Sequence, residues 1–173
     1  MTELISTHKL LDIYKLKNIV RYNNKLTLTK ETVSEHSFYV ALISLMICQK
    51  LKLNNDITLQ VLVKSILHDM PEIEINDITH DVKERLKLRP LLKVYELEYF
   101  EEHFNEFLQI INADNKIVNL IVDISDAYSV KQYALTELSL GNNTNEILEI
   151  WNEISNRITE LEKELEDELN EIK

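Results

Sequence analysis

Two histidines and two aspartates of this chain are of the residue types that bind a divalent metal ion. His68 and Asp69 are adjacent, His36 precedes them, and Asp126 follows far downstream. Imidazole nitrogens and carboxylate oxygens together suit Mn, Fe, Co, Ni and Zn, and a mixed set leaves room for water or a substrate. We therefore predict a metal site formed by His36, His68, Asp69 and Asp126.

The adjacency of His68 and Asp69 places a condition on the local structure. Neighbouring side chains of a helix point about 100° apart, so both reach one ion only at a helix end or in a distorted turn. Pro71 predicts such an end, because the residue before a proline is driven out of helical geometry. We expect Glu72 and Asp77 in the turn or short helix that follows, over the metal.

The composition favours an all-α protein with one domain. The chain has 173 residues, 45% of them hydrophobic, with one glycine and two prolines. This length suits one domain with a substantial core, and so few turn residues disfavour a sheet protein. With Gly141 alone, neither a P-loop nor a Gly-x-Gly-x-x-Gly turn can form. A nucleotide-binding protein of this composition must hold phosphate with a metal and cationic side chains.

The formal net charge of -11 opposes binding to nucleic-acid polymers, and the sequence has no dense basic patch. Small nucleotides stay compatible with it, because a metal site can outweigh the global charge locally. Cys48, the single cysteine, cannot form an internal disulfide and suits a reducing compartment. With neither an apolar stretch of membrane length nor a signal-peptide pattern, we expect a cytoplasmic protein that does not bind membranes.

Apolar residues at helical spacing predict that most of the chain is helical. Helices are expected at about 10–21, 36–51, 59–69, 81–89, 92–107 and 117–140, and from 145 onward. Ser34 is the expected cap of the second helix, and Gly141 the C-cap of the helix that ends near 140. Asp123 and Asp126 lie in the most apolar helix, so each needs a metal or a hydrogen-bond partner. The apolar stripe of the last helix either packs on the domain or mediates self-association.

Four parts of the chain match one family in order and spacing. They are Arg21, Val33-Ser34-Glu35-His36-Ser37, the pattern His68-Asp69-x-x-Glu72-x-x-x-x-Asp77, and Asp126-Ala127 running through Glu137-Leu138 to Gly141-Asn142-Asn143. From about Leu10 to Asn143 they resemble the HD-domain metal-dependent phosphohydrolases, most closely the bacterial 5'-deoxynucleotidases. The Asp126-Ala127 pair favours Asp126 over Asp123 as the last ligand.

The resemblance implies an all-α helical bundle of the HD-domain type that binds one divalent ion, which is Co, Mn, Mg, Ni or Zn. It implies a single HD domain over residues 1–173, with a core at about 10–143 and a C-terminal amphipathic helix at 145–172. The implied reaction is hydrolysis of a (deoxy)nucleoside 5'-monophosphate, a small-molecule substrate, to nucleoside and phosphate. The resemblance also implies a homodimer.

Roles for individual residues follow from the same resemblance. Glu72 and Asp77 are the candidate catalytic residues, which move a proton or orient the group that does. The candidate substrate-binding residues are Arg21, Tyr22, Asp69, Asp77, Thr79 and His80. Arg21 would offset phosphate charge, or, at a helix end, bind the last carbonyls instead. Tyr22 stands where the family commonly has a tryptophan associated with placing the sugar and base. The resemblance therefore leaves open which sugar and which base the protein prefers.

Three alternatives are kept. The first is an HD hydrolase of nucleoside triphosphates, which has the same metal centre. Product analysis would distinguish it, because a monophosphatase releases orthophosphate and a triphosphate hydrolase releases triphosphate or pyrophosphate. An all-helical NTP pyrophosphatase that binds Mg through paired acids is similar at Glu98-x-x-Glu101 and Asp123-x-x-Asp126, but it needs no histidine. A non-catalytic module that dimerises or docks partners through its last helix would show no hydrolysis at all.

Overall fold

The computed structural model describes residue 5 and residues 7–171, without the side chains of residues 7 and 8. The helices are α1 (Thr7–Lys15), α2 (Val33–Leu51), α3 (Asn55–Leu67), α4 (Glu72–Ile75), α5 (His80–Arg85), α6 (Arg89–His103), α7 (Leu108–Ile111), α8 (Lys116–Ser139) and α9 (Asn145–Glu171). Short 3-10 turns lie at Leu16–Asn18 and Asn105–Phe107. In this part of the chain no strand forms, so the predicted all-α class is confirmed. None of these helices has the length and apolar content needed to cross a bilayer.

Helix α8 forms the centre of the fold and packs against α9, α2 and α3. Side chains from the four helices form one apolar cluster, in which Ile121, Ile124 and Leu161 are at most 2% exposed. Burying one side chain of this size stabilises the fold by about 1.5–3 kcal/mol. Ile158, Leu161 and Leu165 place the apolar stripe of α9 in this cluster. That stripe therefore packs on the domain.

A second apolar cluster supports the segment that carries His68 and Asp69. Leu67 and Met70, which flank this pair, are both buried in it. The same cluster contains Val33 at the start of α2 and aromatic residues of α6 such as Phe100. Two buried anchors therefore hold the pair from either side, which limits how far it can move.

The start of α2 differs from the prediction by three residues. The helix begins at Val33, and Thr32 rather than Ser34 caps it. The Thr32 hydroxyl accepts a hydrogen bond from the Glu35 backbone N–H, and the Glu35 carboxylate accepts one from the Thr32 backbone N–H at 2.8 Å. This reciprocal capping box satisfies two donors that a helix start leaves free. It places His36 one turn inside the helix.

The helix end predicted before Pro71 is present. Helix α3 stops at Leu67 with His68 as its cap residue, and the Met70 backbone N–H then closes a turn onto the Leu67 carbonyl at 3.0 Å. Pro71 precedes the single turn of α4, which carries Glu72. His68 and Asp69 therefore lie in a turn between two helices, as their adjacency required.

The first helix is shorter than predicted. Helix α1 ends at Lys15, and the backbone at Ile19 is extended. The Arg21 backbone N–H donates to the Glu31 carbonyl, and the Val33 N–H donates to the Ile19 carbonyl, both at 2.9 Å. The prediction of helix as far as Arg21 is therefore wrong, because pairing with residues 31–33 takes up the backbone groups that a longer helix would use.

Gly141 terminates α8 as predicted. Its φ of +94° lies in the left-handed region, which a residue without a Cβ adopts at low cost. The Asn142 N–H donates to the Glu137 carbonyl at 2.9 Å, and the Gly141 N–H donates to the Leu138 carbonyl at 3.0 Å. These two bonds form a Schellman motif, which satisfies carbonyls at the helix end.

Candidate active site

The structure brings three of the four predicted ligands into one cluster. The Nε2 atoms of His36 and His68 are 3.3 Å apart, and Asp69 Oδ2 lies 3.2 Å from His68 Nε2 and 3.7 Å from His36 Nε2. One ligand atom from each residue lies within 4.8 Å of those of the other two. Asp126 Oδ1 lies at the edge of this cluster, 3.0 Å from His36 Nε2.

These separations fit a metal ion. Ligand atoms that each lie about 2.0–2.2 Å from one ion are roughly 3–3.6 Å from one another in tetrahedral or octahedral geometry. Two of the observed separations, 3.2 and 3.3 Å, lie in this range, and the third, 3.7 Å between His36 Nε2 and Asp69 Oδ2, lies just above it. The residues also supply a mixed nitrogen and oxygen set, which suits a first-row transition ion.

The second nitrogen of each imidazole has its own partner. His68 Nδ1 donates to the Ser65 carbonyl at 2.7 Å, because that oxygen can only accept. His36 Nδ1 is 3.1 Å from the Ser129 hydroxyl. Partners at Nδ1 hold both rings with Nε2 directed into the cluster, which is how histidine ligands are oriented in metal sites.

The electrostatics of the cluster favour a positive charge. Burial lowers the pKa of His36. Burial acts in the same direction on His68, but the Asp69 carboxylate outweighs it and raises the pKa of His68 to about 9. Burial opposes ionisation of Asp69, yet His68 holds its pKa well below the usual range, and a hydrogen bond from His36 likewise lowers the pKa of Asp126. The carboxylates of the cluster therefore favour a positive charge at the point where the two imidazoles meet.

Glu72 lies beside this cluster on α4 and is 7% exposed. Its Oε1 is 3.8 Å from Lys83 Nζ, whereas its buried Oε2 has no hydrogen-bond partner among the described residues. Burial, reinforced by the charges of Asp69 and Asp77, raises the pKa of Glu72 to about 8. A cavity of about 30 Å³, the size of one water molecule, is lined by His68, Asp69 and Glu72. The group can therefore hold a proton at neutral pH next to the ligand cluster.

Arg21 and Tyr22 form a second part of the site. The Arg21 guanidinium donates to Glu31 Oε2 at 3.0 Å and lies 5.3 Å from the centre of the Tyr22 ring. Tyr22 has a φ of +55° and stacks on Tyr133 with the ring centres 4.5 Å apart. Burial opposes the charge of Arg21, but the acidic groups around it raise its pKa, so it stays a cation.

The structure gives Asp77, Thr79 and His80 different surroundings. Asp77 Oδ2 accepts the Tyr22 backbone N–H at 3.1 Å, so this carboxylate holds the Arg21–Tyr22 segment. Thr79 is buried, and its hydroxyl accepts from the Asn24 amide at 3.1 Å. His80 is exposed at the first residue of α5, and none of its described contacts joins it to the ligand cluster.

Sequence reasoning assigned no role to two buried carboxylates, Glu31 and Glu137. Glu31 binds Arg21, as described above. Glu137 is fully buried and accepts hydrogen bonds from the Leu28 N–H at 2.8 Å, the Thr29 N–H at 2.7 Å and the Asn142 amide at 2.6 Å, and from the Thr29 hydroxyl. Glu137 lies in one of the segments that resemble the family, but the resemblance gave it no role, and helical spacing indicates the contacts of neither carboxylate.

Three buried serines link the helices that carry the cluster. Ser44 of α2 hydrogen bonds to Ser65 of α3 at 2.7 Å and to Ser125 of α8 at 2.8 Å. The Ser125 hydroxyl in turn bonds to the Ile121 carbonyl at 2.7 Å. All three serines are fully buried, and Ser65 is also the residue whose carbonyl orients His68. The ligand-bearing helices are thus fixed relative to one another by hydroxyl contacts as well as by apolar packing.

Comparison with solved structures shows the fold. A protein from Pyrococcus horikoshii OT3 is 28% identical with a TM-score of 0.75, over 96% of this chain and 98% of that chain. An HD-domain phosphohydrolase from Listeria innocua is 21% identical with a TM-score of 0.71, over 90% and 81%. The HD phosphohydrolase DatZ of cyanophage S-2L, whose structure contains dA and one catalytic Zn2+ ion, is 14% identical with a TM-score of 0.71, over 98% and 97%. The bundle is therefore of the HD-domain type.

Comparison with known sequences identifies the family. None of the curated proteins matches the chain significantly. The family model described as 5'-deoxynucleotidase YfbR-like matches residues 10–169, which include all the candidate site residues. Because the match extends over nearly the whole chain and the HD fold agrees with it, this chain belongs to the YfbR-like 5'-deoxynucleotidase family and is a metal-dependent nucleotide phosphohydrolase.

Proposed function

We propose that this chain hydrolyses nucleoside 5'-monophosphates, preferentially deoxynucleotides, to nucleoside and orthophosphate. The observation that carries the proposal is the convergence of His36 Nε2, His68 Nε2 and Asp69 Oδ2 beside a cationic, largely buried Arg21. A divalent ion and an arginine together provide the charge that a phosphate monoester requires. The family description and the dA bound by the cyanophage enzyme support the choice of a deoxynucleotide.

We assign His36, His68, Asp69 and Asp126 as the metal ligands. A bound divalent ion supplies a Lewis acid for the phosphoryl oxygen and lowers the pKa of a water molecule. The nitrogen and oxygen ligands suit Zn, Co, Ni and Mn better than Mg, and the catalytic Zn2+ of the cyanophage enzyme supports Zn. Asp126 supports this assignment because its Oδ1 lies 3.0 Å from His36 Nε2, at the edge of the other three ligand atoms.

We assign to Glu72 the transfer of a proton to the leaving group. Its buried carboxyl holds a proton below about pH 8, so it can donate to the 5'-oxygen that leaves with the nucleoside. The negative charge of Asp77 favours this protonated state, and Asp77 also holds Tyr22 through the backbone. Arg21 binds the phosphate and offsets its charge.

We assign Tyr22, Thr79 and His80 to the sugar and base of the substrate. Tyr22 presents one ring face to Tyr133, and its buried hydroxyl has no hydrogen-bond partner among the described residues. We assign this unpaired hydroxyl as the group that meets a sugar oxygen. Replacement Tyr22→Trp is therefore expected to change the ratio of ribonucleotide to deoxyribonucleotide turnover and to leave the metal content unchanged.

We propose a cytoplasmic homodimer of single-domain subunits. Helices α2, α8 and α9 form an open groove of about 1190 Å³ lined by apolar residues such as Leu42 and Met46, which are 47% and 65% exposed. Lys50 and Glu166 both line this groove, so a two-fold-related second copy could pair opposite charges across it. Sedimentation of the wild type and of Met46→Glu tests this, since a Met46→Glu protein that sediments as wild type would contradict it.

The function is tested by phosphate release from nucleoside mono- and triphosphates after Co, Mn, Mg, Ni or Zn is added to chelator-stripped protein. Metal-dependent orthophosphate release from monophosphates, lost in Asp69→Ala, is the expected result. Activity confined to triphosphates would move the assignment to the triphosphohydrolases with the same centre. No hydrolysis of any nucleotide by metal-loaded protein would reject the proposed substrate class.

A further inference from the structure

Glu31 is a buried acid next to the site that the proposed mechanism leaves without a role. Its side chain is 10% exposed, and its Oε2 lies 3.0 Å from Arg21 Nη1. The Arg21 side chain is itself only 13% exposed. A buried ion pair is costly to desolvate and adds little net stability, so its geometry is of more interest than its energy.

The backbone fixes these two residues opposite one another. Arg21 and Glu31 are joined by the hydrogen bond from the Arg21 N–H to the Glu31 carbonyl, and Val20 pairs with Thr32 in an antiparallel bridge. Thr32 is also the cap residue of α2, the helix that carries His36. The position of Arg21 relative to the ligand cluster is therefore set through Glu31 and its neighbour.

The side-chain contact acts in addition to this backbone link. A guanidinium has five N–H donors, and the contact with Glu31 uses only part of them, which leaves others for an oxyanion. The negative charges of Asp69 and Asp126 also act on Arg21. An arginine released from Glu31 would be drawn toward these two carboxylates and would turn away from the substrate phosphate.

We infer that Glu31 is a positioning residue, which holds the Arg21 guanidinium in the orientation that binds the phosphate of the substrate. This inference rests on the proposed function, because it takes Arg21 as the phosphate ligand. Glu31 Oε2 is also 4.0 Å from His36 Nδ1, so an effect on the metal is the competing explanation. The Ser129 hydroxyl lies closer to this nitrogen, at 3.1 Å, and already provides its partner.

A double-mutant cycle tests the inference. The proteins are wild type, Glu31→Ala, Arg21→Ala and the double variant, each loaded with the same metal, with Glu31→Gln and Glu31→Asp as finer changes. Glu84→Gln, an exposed carboxylate paired with Arg89, is the matched control. The measurements are kcat, KM for a nucleoside monophosphate, the Ki of inorganic phosphate, and the metal content of each protein.

Glu31→Ala is expected to raise KM and the phosphate Ki by roughly tenfold, as a misplaced binding group does. In the Arg21→Ala background the same change is expected to alter KM by less than about twofold, because the partner is already absent. Glu31→Gln keeps an acceptor oxygen and should restore KM to within about threefold, whereas Glu31→Asp draws the oxygen back and should not. Metal content should be unchanged throughout.

If Glu31→Ala changes KM by the same factor in the wild-type and Arg21→Ala backgrounds, the inference is overturned, whichever nucleotide the enzyme cleaves. A loss of metal from Glu31→Gln or Glu31→Ala with KM unchanged would overturn it in favour of a role at His36. If Glu31→Ala does not fold, a Glu31→Asp protein with wild-type KM would overturn it as well. A wild-type protein that cleaves no monophosphate would instead reject the proposed function, which separates the two failures.

Discussion

Replacement of Glu137 should destabilise the protein through the loop that leads to Arg21 and Glu31. Its carboxylate accepts two backbone N–H groups, from Leu28 and Thr29, together with the Thr29 hydroxyl and the Asn142 amide. Glu137→Leu removes every acceptor while keeping most of the volume. The Asn142 amide keeps its bond to the Leu26 carbonyl at 3.0 Å and the Thr29 hydroxyl can rotate, but the backbone donors lose their partner outright.

The two backbone bonds set the magnitude. A hydrogen bond to a charged acceptor contributes about 1.5–3 kcal/mol, so losing two costs about 3–6 kcal/mol of unfolding free energy. For a chain of this size, 1 kcal/mol shifts Tm by about 2–4 °C. Glu137→Leu should therefore lower Tm by on the order of 10 °C. An exposed change such as Glu149→Gln should shift it by less than about 2 °C.

The effect should also depend on pH. Burial opposes ionisation of Glu137, but its hydrogen bonds outweigh burial and lower its pKa below the ordinary value of 4.5. A lowered folded-state pKa means that the ionised group stabilises the fold fully above about pH 4.5, and that this contribution is lost as the pH falls through the lower value. The difference between wild type and Glu137→Gln should therefore shrink as the pH falls below 4.5.

Urea unfolding at several pH values measures both effects. A Glu137→Leu protein as stable as wild type at pH 7 would refute the count of lost hydrogen bonds. A wild-type minus Glu137→Gln difference that stays constant from pH 7 down to pH 3 would refute the assignment of the low pKa to Glu137. The two results are independent, so the experiment can reject either part separately.

Three further outcomes are expected at the site. His68→Ala should retain less than about a tenth of the wild-type metal, measured by elemental analysis, because it removes one of the four proposed ligands. Full retention of metal would exclude His68 as a ligand. Glu72→Gln should lower kcat by about 10²–10⁴. The pKa of Glu72 is raised from 4.5 to about 8, so the Tm of chelator-treated Glu72→Gln should exceed that of wild type increasingly as the pH rises through that interval. A difference in Tm that stays constant with pH would contradict this. Asp77→Ala should raise KM more than Asp77→Asn, which keeps an acceptor for the Tyr22 N–H, and equal effects would exclude that contact as the cause.

The ligand cluster could be predicted because its determinants are local. Helical spacing before His68, together with Pro71 after it, predicts a helix end at the point where two adjacent side chains must converge. His36 lies within a helix whose apolar pattern is clear from the sequence. The spacing between these segments also resembles that of a known family, and the match of the family model to residues 10–169 agrees with this resemblance.

The surroundings of Arg21 could not be predicted in the same way. Its segment has helical spacing, yet the chain leaves the helix because residues 19–21 pair with residues 31–33 across a loop. The contacts of Glu31 and Asp77 with this segment follow from that pairing. The contacts of Glu137 with the loop are more distant still, since Leu28 and Thr29 lie more than one hundred residues away from it. Contacts of this kind depend on the assembled fold and leave no periodic signal in the sequence.

The three buried serines form a chain of hydroxyls that has a direction. Each hydroxyl has one proton: that of Ser125 goes to the Ile121 carbonyl and that of Ser44 to Ser125, so Ser65 must donate to Ser44. Loss of the Ser65 hydroxyl leaves Ser44 with an unused acceptor, whereas loss of Ser125 strands the Ser44 proton in an apolar interior, at a higher cost. Apolar substitutions at these positions are therefore least costly when Ser65 is replaced first, or when all three serines are replaced together.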